Sequence, residues 1–391
     1  MAVNLTNADK ALKTFYLDAV SEQLDFVSPF YAMVKKSTDD VWGKEVRKLV
    51  KYGLNGGIGA GEEDGALPAS AGNNYAQIAL TLKNLYGTIE ITDKAIRASE
   101  NNAGAFVNLL NSEMEGLIKS SAFNLGRMLF GDGTGKIASV SGVTKGIVVL
   151  DSARNVMEGM IVDFRSAADG SVIAGYAGRK IVAADHGANA VRIDGTAPTS
   201  TELPEGTVVT LQGSYNKEIT GLGAIFDTSS DLYGMSRSEN TWLTPYVLSG
   251  AGAITELTIQ KALDKIEESG GAPVNLIICS WGVRRSLQSV FAANKRVIDT
   301  VELAGGYKAM SYNGIPVVAD RFCPSGCMYL LNTKDFTLNQ LCDWQWLTGD
   351  DGSILKQVAG KPVYTATLVK YAELVCARPY GQGVIKGITE S

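Results

Sequence analysis

The sequence predicts an α+β protein with an inserted β-rich domain, and three observations support this. A long helical stripe of apolar residues ends at Gly131, and two shorter helical patterns flank an apolar run at 274–280. Between the stripe and these patterns, residues 137–222 contain short Val- and Ile-rich runs separated by Gly, Asp and Pro. Helices that cover one sheet beside a segment of pure strands are typical of this class.

The composition is that of a globular protein of about two to three domains. Of the 391 residues, 45% are apolar and 20% are charged, and the net charge is −5 without a clustered Lys/Arg run. Proteins that bind nucleic acid through phosphates usually carry a basic face, so sequence-specific DNA binding is not expected. The first twenty residues do not resemble a signal peptide and no window approaches 18 apolar residues, which favours a cytoplasmic protein without a membrane span.

The residues needed for common enzyme chemistry are scarce. The single histidine, His186, stands in a turn-like stretch and is interpreted as a solvated loop residue. No serine has glycines at both −2 and +2, and the segment 130–136 lacks the first glycine and the Ser/Thr of a phosphate-binding loop. We therefore predict no enzyme activity, no catalytic residue and no cofactor.

The five cysteines are an odd, scattered set that does not indicate a disulfide framework. Cys323, Cys327 and Cys342 offer three potential metal ligands, but a structural zinc site usually needs four. Small apolar thiols in and near strands are the favoured interpretation, so no metal site is predicted.

Residues 1–40 are predicted to form an N-terminal arm with short helical pieces, and residues 41–92 a long β-hairpin. The first strand has no cleanly apolar face, which predicts a ribbon exposed on both sides. The connecting segment 55–74 contains six glycines and three adjacent acids, and it is far longer than the usual hairpin loop of about two to five residues. A loop of that length is typically disordered or functional.

Residues 93–136 contain the strongest helix pattern. Thr92 is a plausible N-cap for a short helix, and Asn101 or Asn102 for the long one. The expected apolar stripe consists of Phe106, Leu110, Met114, Leu117, Leu125 and Met128 or Leu129. Gly131 should end the helix in a left-handed conformation, and a helix of this length spans about 40 Å.

The remaining segments follow in order. Residues 137–222 should form a small antiparallel barrel or sandwich, and residues 223–250 return to the preceding domain. In residues 251–345 we expect a helix with Leu257, Ala262, Leu263 and Ile266 buried, a buried strand, a second helix capped by Ser280, and a hairpin at Asn313-Gly314. The C-terminal part, 346–391, should contain one long strand at 363–377.

This order of elements resembles the major capsid proteins of tailed bacteriophages, a fold shared with encapsulins and the herpesvirus capsid floor. The segments that carry the resemblance are 84–96, 221–245 and 312–331. The resemblance implies that 41–92 is the extended loop and 93–136, with 223–250 and the long C-terminal strand, the peripheral domain around a spine helix. It implies that 251–345 is the axial domain and 137–222 an insertion.

The resemblance further implies a structural virion protein that self-assembles into pentamers and hexamers of an icosahedral head around double-stranded DNA. The extended loop would lie across a neighbouring subunit, with contacts from Asn55, Gly57, Glu62, Glu63 and Asp64. Assembly would occur in the bacterial host cytoplasm, together with a portal and with separate scaffold or cement proteins. Some members of the family that this chain resembles crosslink their shells through a lysine on the extended loop. Residues 52–82 contain no lysine, so the resemblance implies a noncovalent shell here.

Two alternatives remain open at the level of sequence. An encapsulin-like shell would have the same fold and enclose cargo enzymes instead of a genome. A carbohydrate-binding module would use the inserted domain, and five tryptophans leave sugar contact possible although none lies within 137–222.

Overall fold

The computed structural model describes residues 28–95, 103–270, 273–293, 300–302, 308–349 and 352–390, without the side chains of 103–112, 300–302 and 308. The chain divides into two compact units. One consists of Met1–Gly126 with Ile225–Ser391 and the other of Arg127–Ala224. The prediction for residues 1–27 and the proposed caps Asn101 and Asn102 lie outside the described residues.

The elements are defined here in chain order. The helices are α1 (Pro29–Met33), α2 (Ala103–Phe130), α3 (Leu222–Ile225), α4 (Glu256–Gly270) and α5 (Trp281–Ala293). The strands before α2 are β1 (Lys35–Ser37), β2 (Val41–Trp42), β3 (Glu45–Tyr52), β4 (Asn74–Thr81) and β5 (Lys83–Thr92). Those between α2 and α3 are β6 (Lys136–Thr144), β7 (Ile147–Leu150), β8 (Ile161–Arg165), β9 (Arg179–Asp185), β10 (Ala190–Ile193) and β11 (Val208–Leu211). Those after α3 are β12 (Tyr246–Leu248), β13 (Leu276–Cys279), β14 (Thr300–Glu302), β15 (Lys308–Tyr312), β16 (Ile315–Ala319), β17 (Met328–Leu331), β18 (Phe336–Trp346), β19 (Lys356–Gln357), β20 (Val363–Cys376) and β21 (Gly383–Ile385).

The long C-terminal strand is the centre of the first sheet. The sheet has the order β1-β18-β20-β19, and β5 also pairs with β20 along its whole length, from Lys83 opposite Ala372 to Thr92 opposite Val363. The strand predicted at 363–377 is confirmed. The helix α2 packs closely on one face of this sheet, since a Cβ on Gly87 would lie 2.7 Å from Leu117 Cδ1.

The long helix is confirmed up to Phe130, but two details of its prediction were wrong. Ile118 is buried, whereas Leu117 from the predicted stripe is only half-buried. Gly131 does not adopt a positive φ; its N–H instead bonds Met128 O at 3.0 Å, which closes the helix with a tight right-handed turn. Thr92 Oγ1 accepts a hydrogen bond from Ala95 N at 3.3 Å, as expected of an N-cap.

The hairpin forms a three-stranded ribbon, β2-β3-β4, which we call the shaft. The prediction that it is exposed on both sides was wrong, because Val46, Val50 and Ile78 on one face are buried. Lys48 lies on the same face, and its Nζ donates to Thr337 Oγ1 of β18 at 2.9 Å. A lysine does not break an apolar face here, because its aliphatic stem can lie along apolar surface while the ammonium donates to a hydroxyl.

The chain before the shaft is anchored to the body of the larger unit. Ser28 caps α1 by accepting a bond from Tyr31 N at 3.4 Å, and its own hydroxyl donates to Asp320 Oδ2 at 2.9 Å. Phe30 and Tyr31 are fully buried, and the ring of Phe30 meets the edge of Phe336. Residues 28–37, which the sequence predicts to be part of an arm, are therefore held against the larger unit by these contacts.

The second sheet has seven strands in the order β12-β21-β17-β13-β16-β15-β14. All four residues of β13 are buried, as predicted, and Ser280 Oγ accepts a bond from Val283 N of α5 at 3.4 Å. The turn between β15 and β16 has positive φ at both Asn313 and Gly314, which confirms that hairpin. In α4, Ala262, Leu263 and Ile266 are buried as predicted. Leu257 is 63% exposed and Ile259 is buried instead, because Ile259 lies three, four and seven positions before those residues and so on their side of the helix.

The smaller unit contains a closed barrel with the strand order β10-β7-β6-β11-β8-β9. Its core is filled by Val, Ile, Leu and Phe side chains around Phe164, which is fully buried. At its base Arg127 of α2 forms a two-pronged ion pair with Glu218, with Nη1 to Oε2 at 2.9 Å and Nη2 to Oε1 at 2.6 Å. Both side chains are only 3% exposed, so a buried ion pair joins the two segments that lead into and out of the barrel.

Replacing Arg127 with alanine should lower the free energy of unfolding by about 3–5 kcal/mol, because Glu218 would be left buried without its cation. Urea or thermal unfolding of the purified variant measures this loss. The double variant Arg127→Met/Glu218→Leu removes both charges and should unfold close to the wild-type chain. An alanine variant as stable as the wild type would show that the pair is solvated.

Candidate subunit-contact surface

The segment that connects β3 to β4 is the candidate site, and we call residues 53–73 the tip. It continues the shaft beyond the last ladder pair, Tyr52 opposite Asn74. Apart from Asn55 and Gly57, which are half-buried, every residue of the tip is exposed. The expectation of a long loop at the end of a hairpin is thus confirmed, although Asn74 itself belongs to the strand.

The first part of the tip is held together by asparagine side chains. Asn55 Oδ1 accepts a bond from Gly57 N at 2.8 Å, and Asn55 Nδ2 lies 3.4 Å from Asn73 Oδ1. A Cβ on Gly57 would come 3.0 Å from Ala71 N, so the glycine allows the two limbs of the tip to run side by side. Asn55 and Gly57 therefore shape the tip and are not free contact groups.

The three acids lie at the far end, in a turn in which Gly65 N donates to Glu62 O at 3.2 Å. Glu62, Glu63 and Asp64 are exposed, and none of them forms an ion pair with another described residue. The five predicted site residues thus fall into two groups, a structural pair at the base and an acidic cluster at the end.

Sequence reasoning missed the apolar residues of the tip. Leu54, Ile58 and Leu67 are 89%, 87% and 91% exposed. Soluble proteins seldom leave several large aliphatic side chains in water on one loop unless another molecule covers them. The available indication was their position: each stands between glycines, alanines and polar residues that cannot build a core around it.

Groups that suggest other chemistry have structural roles. His186 is exposed in the β9–β10 turn, as predicted, and its Nδ1 lies 3.1 Å from Ala153 O. Four of the five cysteines are buried, and burial raises the pKa of the Cys279 thiol to about 12, which makes it a poor nucleophile. Within the part of the chain that the structure describes, no three His, Cys, Asp or Glu side chains are grouped as metal ligands.

The most perturbed charged groups are paired inside the protein. Hydrogen bonds from Ser229 and Ser230 lower the pKa of Asp227 to about 2. Lys370 is fully buried, and its Nζ donates to Gln340 Oε1 and Asp343 Oδ1, both at 2.6 Å. Burial lowers the pKa of Lys370 from its ordinary value, while the Asp343 carboxylate opposes this shift. These contacts explain the shifts without a substrate.

The tryptophans do not form a sugar-binding face. Trp242, Trp344 and Trp346 are buried, whereas Trp42 on the shaft is 70% exposed and Trp281 at the start of α5 is 49% exposed. Neither exposed ring belongs to the barrel.

None of the helices in the described ranges combines the length and the apolar character that a membrane span requires. No protein-family model and no curated protein matches the sequence.

Solved structures do match. The chain is similar to a subunit of the cyanophage A-1(L) capsid, with 13% identity, a TM-score of 0.57, and coverage of 95% of this chain and 93% of that one. The capsid of a native GTA particle matches with 11% identity and a TM-score of 0.47, covering 94% and 91% of the two chains. The holo-SrpI encapsulin complex from Synechococcus elongatus PCC 7942 matches with 9% identity and a TM-score of 0.47, covering 93% and 89%. From the first of these likenesses, the chain has the fold of a phage capsid protein, as segments 84–96, 221–245 and 312–331 led us to expect.

Proposed function

We propose that the chain is a structural protein and not an enzyme: the major capsid subunit of an icosahedral phage head, assembled as pentamers and hexamers around double-stranded DNA. The observation that carries the proposal is the tip, which exposes Leu54, Ile58 and Leu67 almost completely on a fold similar to that of a phage capsid subunit. A neighbouring copy is the partner that would cover them.

The energetics favour such a contact. Full burial of one large aliphatic side chain contributes about 1.5–3 kcal/mol, so burial of three such side chains on one tip can offset part of the free-energy cost of association. The glycines Gly59 and Gly61 leave the backbone adaptable, which suits a loop that meets slightly different surroundings in pentamers and hexamers. Each contact would be repeated in every copy of the shell.

Under this proposal the parts of the fold have defined roles. The shaft and tip are the extended loop, α2 with the β20 sheet is the peripheral domain, and the seven-stranded sheet with α4 and α5 is the axial domain. The barrel is an inserted domain at 137–222. A net charge of −5 suits a container that holds DNA by confinement without sequence-specific binding. We also propose a portal and separate scaffold or cement proteins as partners, assembly in the host cytoplasm, and location in the virion.

The purified chain should form regular hollow shells, tubes or sheets visible by negative-stain electron microscopy, because the tip completes its packing only against another copy. Particles from infected cells, in which the portal and the other partners are present, should contain DNA. Particles that enclose a protein cargo would identify an encapsulin-type shell, and a chain that stays monomeric at high concentration with polyethylene glycol would contradict the proposal.

Reversing the charge of the tip, by Glu62→Lys, Glu63→Lys and Asp64→Lys together, should abolish or strongly reduce particle formation. The unfolding midpoint of the unassembled chain should remain unchanged, because all three side chains are exposed and have no ion-pair partner among the residues that the structure describes. Sedimentation and thermal unfolding measure the two effects.

The matched control carries the same change in net charge at exposed acids outside the hairpin, Glu205→Lys, Glu239→Lys and Glu267→Lys. It should assemble like the wild type. Normal particle yield from the tip variant, or equal loss in the control, would argue against a specific tip contact.

Replacing Leu54, Ile58 and Leu67 with serine should raise the concentration needed for assembly at least tenfold, since about 1.4 kcal/mol of lost contact energy already has that effect. The unassembled chain should unfold at the wild-type midpoint, because these side chains contribute almost nothing to its own core. Light scattering against protein concentration provides the measurement. An unchanged assembly threshold would show that the aliphatic residues remain in water in the particle.

A further inference from the structure

The outward side of the shaft is uncovered and combines cations with apolar groups. Glu45 and Thr81 stand at one end of the outward side of β3 and β4. We define the shaft face as the six residues beyond them on that side: Arg47, Leu49, Lys51, Tyr75, Gln77 and Ala79. All are exposed, with Leu49 at 66% and Tyr75 at 54%. Lys51 stands opposite Tyr75 in the ladder, and Leu49 stands opposite Gln77. The shaft face therefore offers one apolar side chain, Leu49, between the cations Arg47 and Lys51, and a second, Tyr75, beside Lys51.

The charges of the shaft face are largely uncompensated. Among the described residues Lys51 has no ion-pair partner, and Arg47 meets only Glu45, with Nη2 to Oε2 at 3.0 Å and both side chains partly in water. An exposed pair of this kind is worth about 0–1 kcal/mol and is easily exchanged for another. The tip carries the opposite charge on Glu62, Glu63 and Asp64.

The two surfaces match each other in both charge and apolar content. The tip presents acids beside Leu54, Ile58 and Leu67, and the shaft face presents cations beside Leu49 and Tyr75. Within one copy they do not meet, because the side chains of both surfaces remain exposed. Opposite charges at such a contact fix its register and speed its formation more than they add affinity.

We propose that the shaft face of one copy receives the tip of the next copy, with Glu62 and Glu63 against Arg47 and Lys51. This inference rests on the proposed function and adds the receiving surface to it. A contact between two different surfaces of the same chain is heterologous, and its repetition closes a ring when the rotation per copy divides a full turn and gives an open filament when it does not. Rings of five and six copies are what this contact would generate.

A charge exchange tests the pairing. The tip variant Glu62→Lys/Glu63→Lys and the shaft variant Arg47→Glu/Lys51→Glu should each lower particle yield at least tenfold. The variant that combines all four changes should recover most of the wild-type yield, because the attraction is restored with the partners exchanged. Thermal unfolding of each unassembled variant confirms that the shaft has kept its fold.

The barrel supplies the control, since Lys180 stands opposite the half-exposed Ile161 and Arg192 is exposed nearby on β10. Lys180→Glu/Arg192→Glu added to the tip variant gives the same net charge as the exchange variant, and it should not restore assembly. Equal recovery of particle yield in this control, or no recovery in the exchange variant, would overturn the inference. The proposed function would remain intact as long as the wild-type chain forms particles. A wild-type chain that never assembles would overturn both.

A covalent measurement addresses the geometry directly. Particles of the variant Glu63→Cys/Lys51→Cys, made in a Cys342→Ser background, should give a ladder above the dimer, up to five or six chains, on oxidation and non-reducing electrophoresis. Each single-cysteine variant should remain monomeric under the same conditions. Bands that stop at the dimer would indicate a symmetric contact and would contradict the proposed head-to-tail arrangement.

Discussion

The antiparallel pairing of β5 with β20 is the interaction on which the larger unit depends. The hairpin ends directly before β5 and the segment that leads to α2 begins directly after it, so one ladder fixes the position of both. A shift of one residue would turn Leu85, Ile89 and Ile91 from the buried face into water, which makes the register well determined. The same strand, β20, pairs with β18 and β19, and it therefore joins segments from before and after α2 in one sheet.

Much of this architecture is readable from the sequence because its elements are long and regularly patterned. The period of α2 and the alternation in β20 repeat often enough to outweigh single exceptions. Two errors had different causes. Lys48 lies among buried residues with its ammonium on the hydroxyl of Thr337, a partner that is distant in sequence and that a local pattern does not contain. Leu257 stands in the first turn of α4, where a helical pattern does not yet determine which side is covered.

The candidate site was only partly predictable for a related reason. Composition identified the acids Glu62, Glu63 and Asp64, since three adjacent charges stand out in a glycine-rich loop. It did not identify Leu54, Ile58 or Leu67, because isolated aliphatic residues in a loop are usually covered by their own domain. Only their exposure in the folded chain distinguishes them. The roles of Asn55 and Gly57 likewise required the second limb of the tip, which approaches from residues 71–73.

The clasp between Arg127 and Glu218 also has an evolutionary consequence. The segments by which the polypeptide enters and leaves the smaller unit are joined to each other by this buried ion pair, so the barrel lies in the chain between two linked positions. Such a cassette can be lost, enlarged or exchanged between genomes without rewriting the strands that hold the remainder together. For protein engineering, Arg127 and Glu218 mark the positions between which a foreign enzyme or antigen can be grafted in place of the barrel.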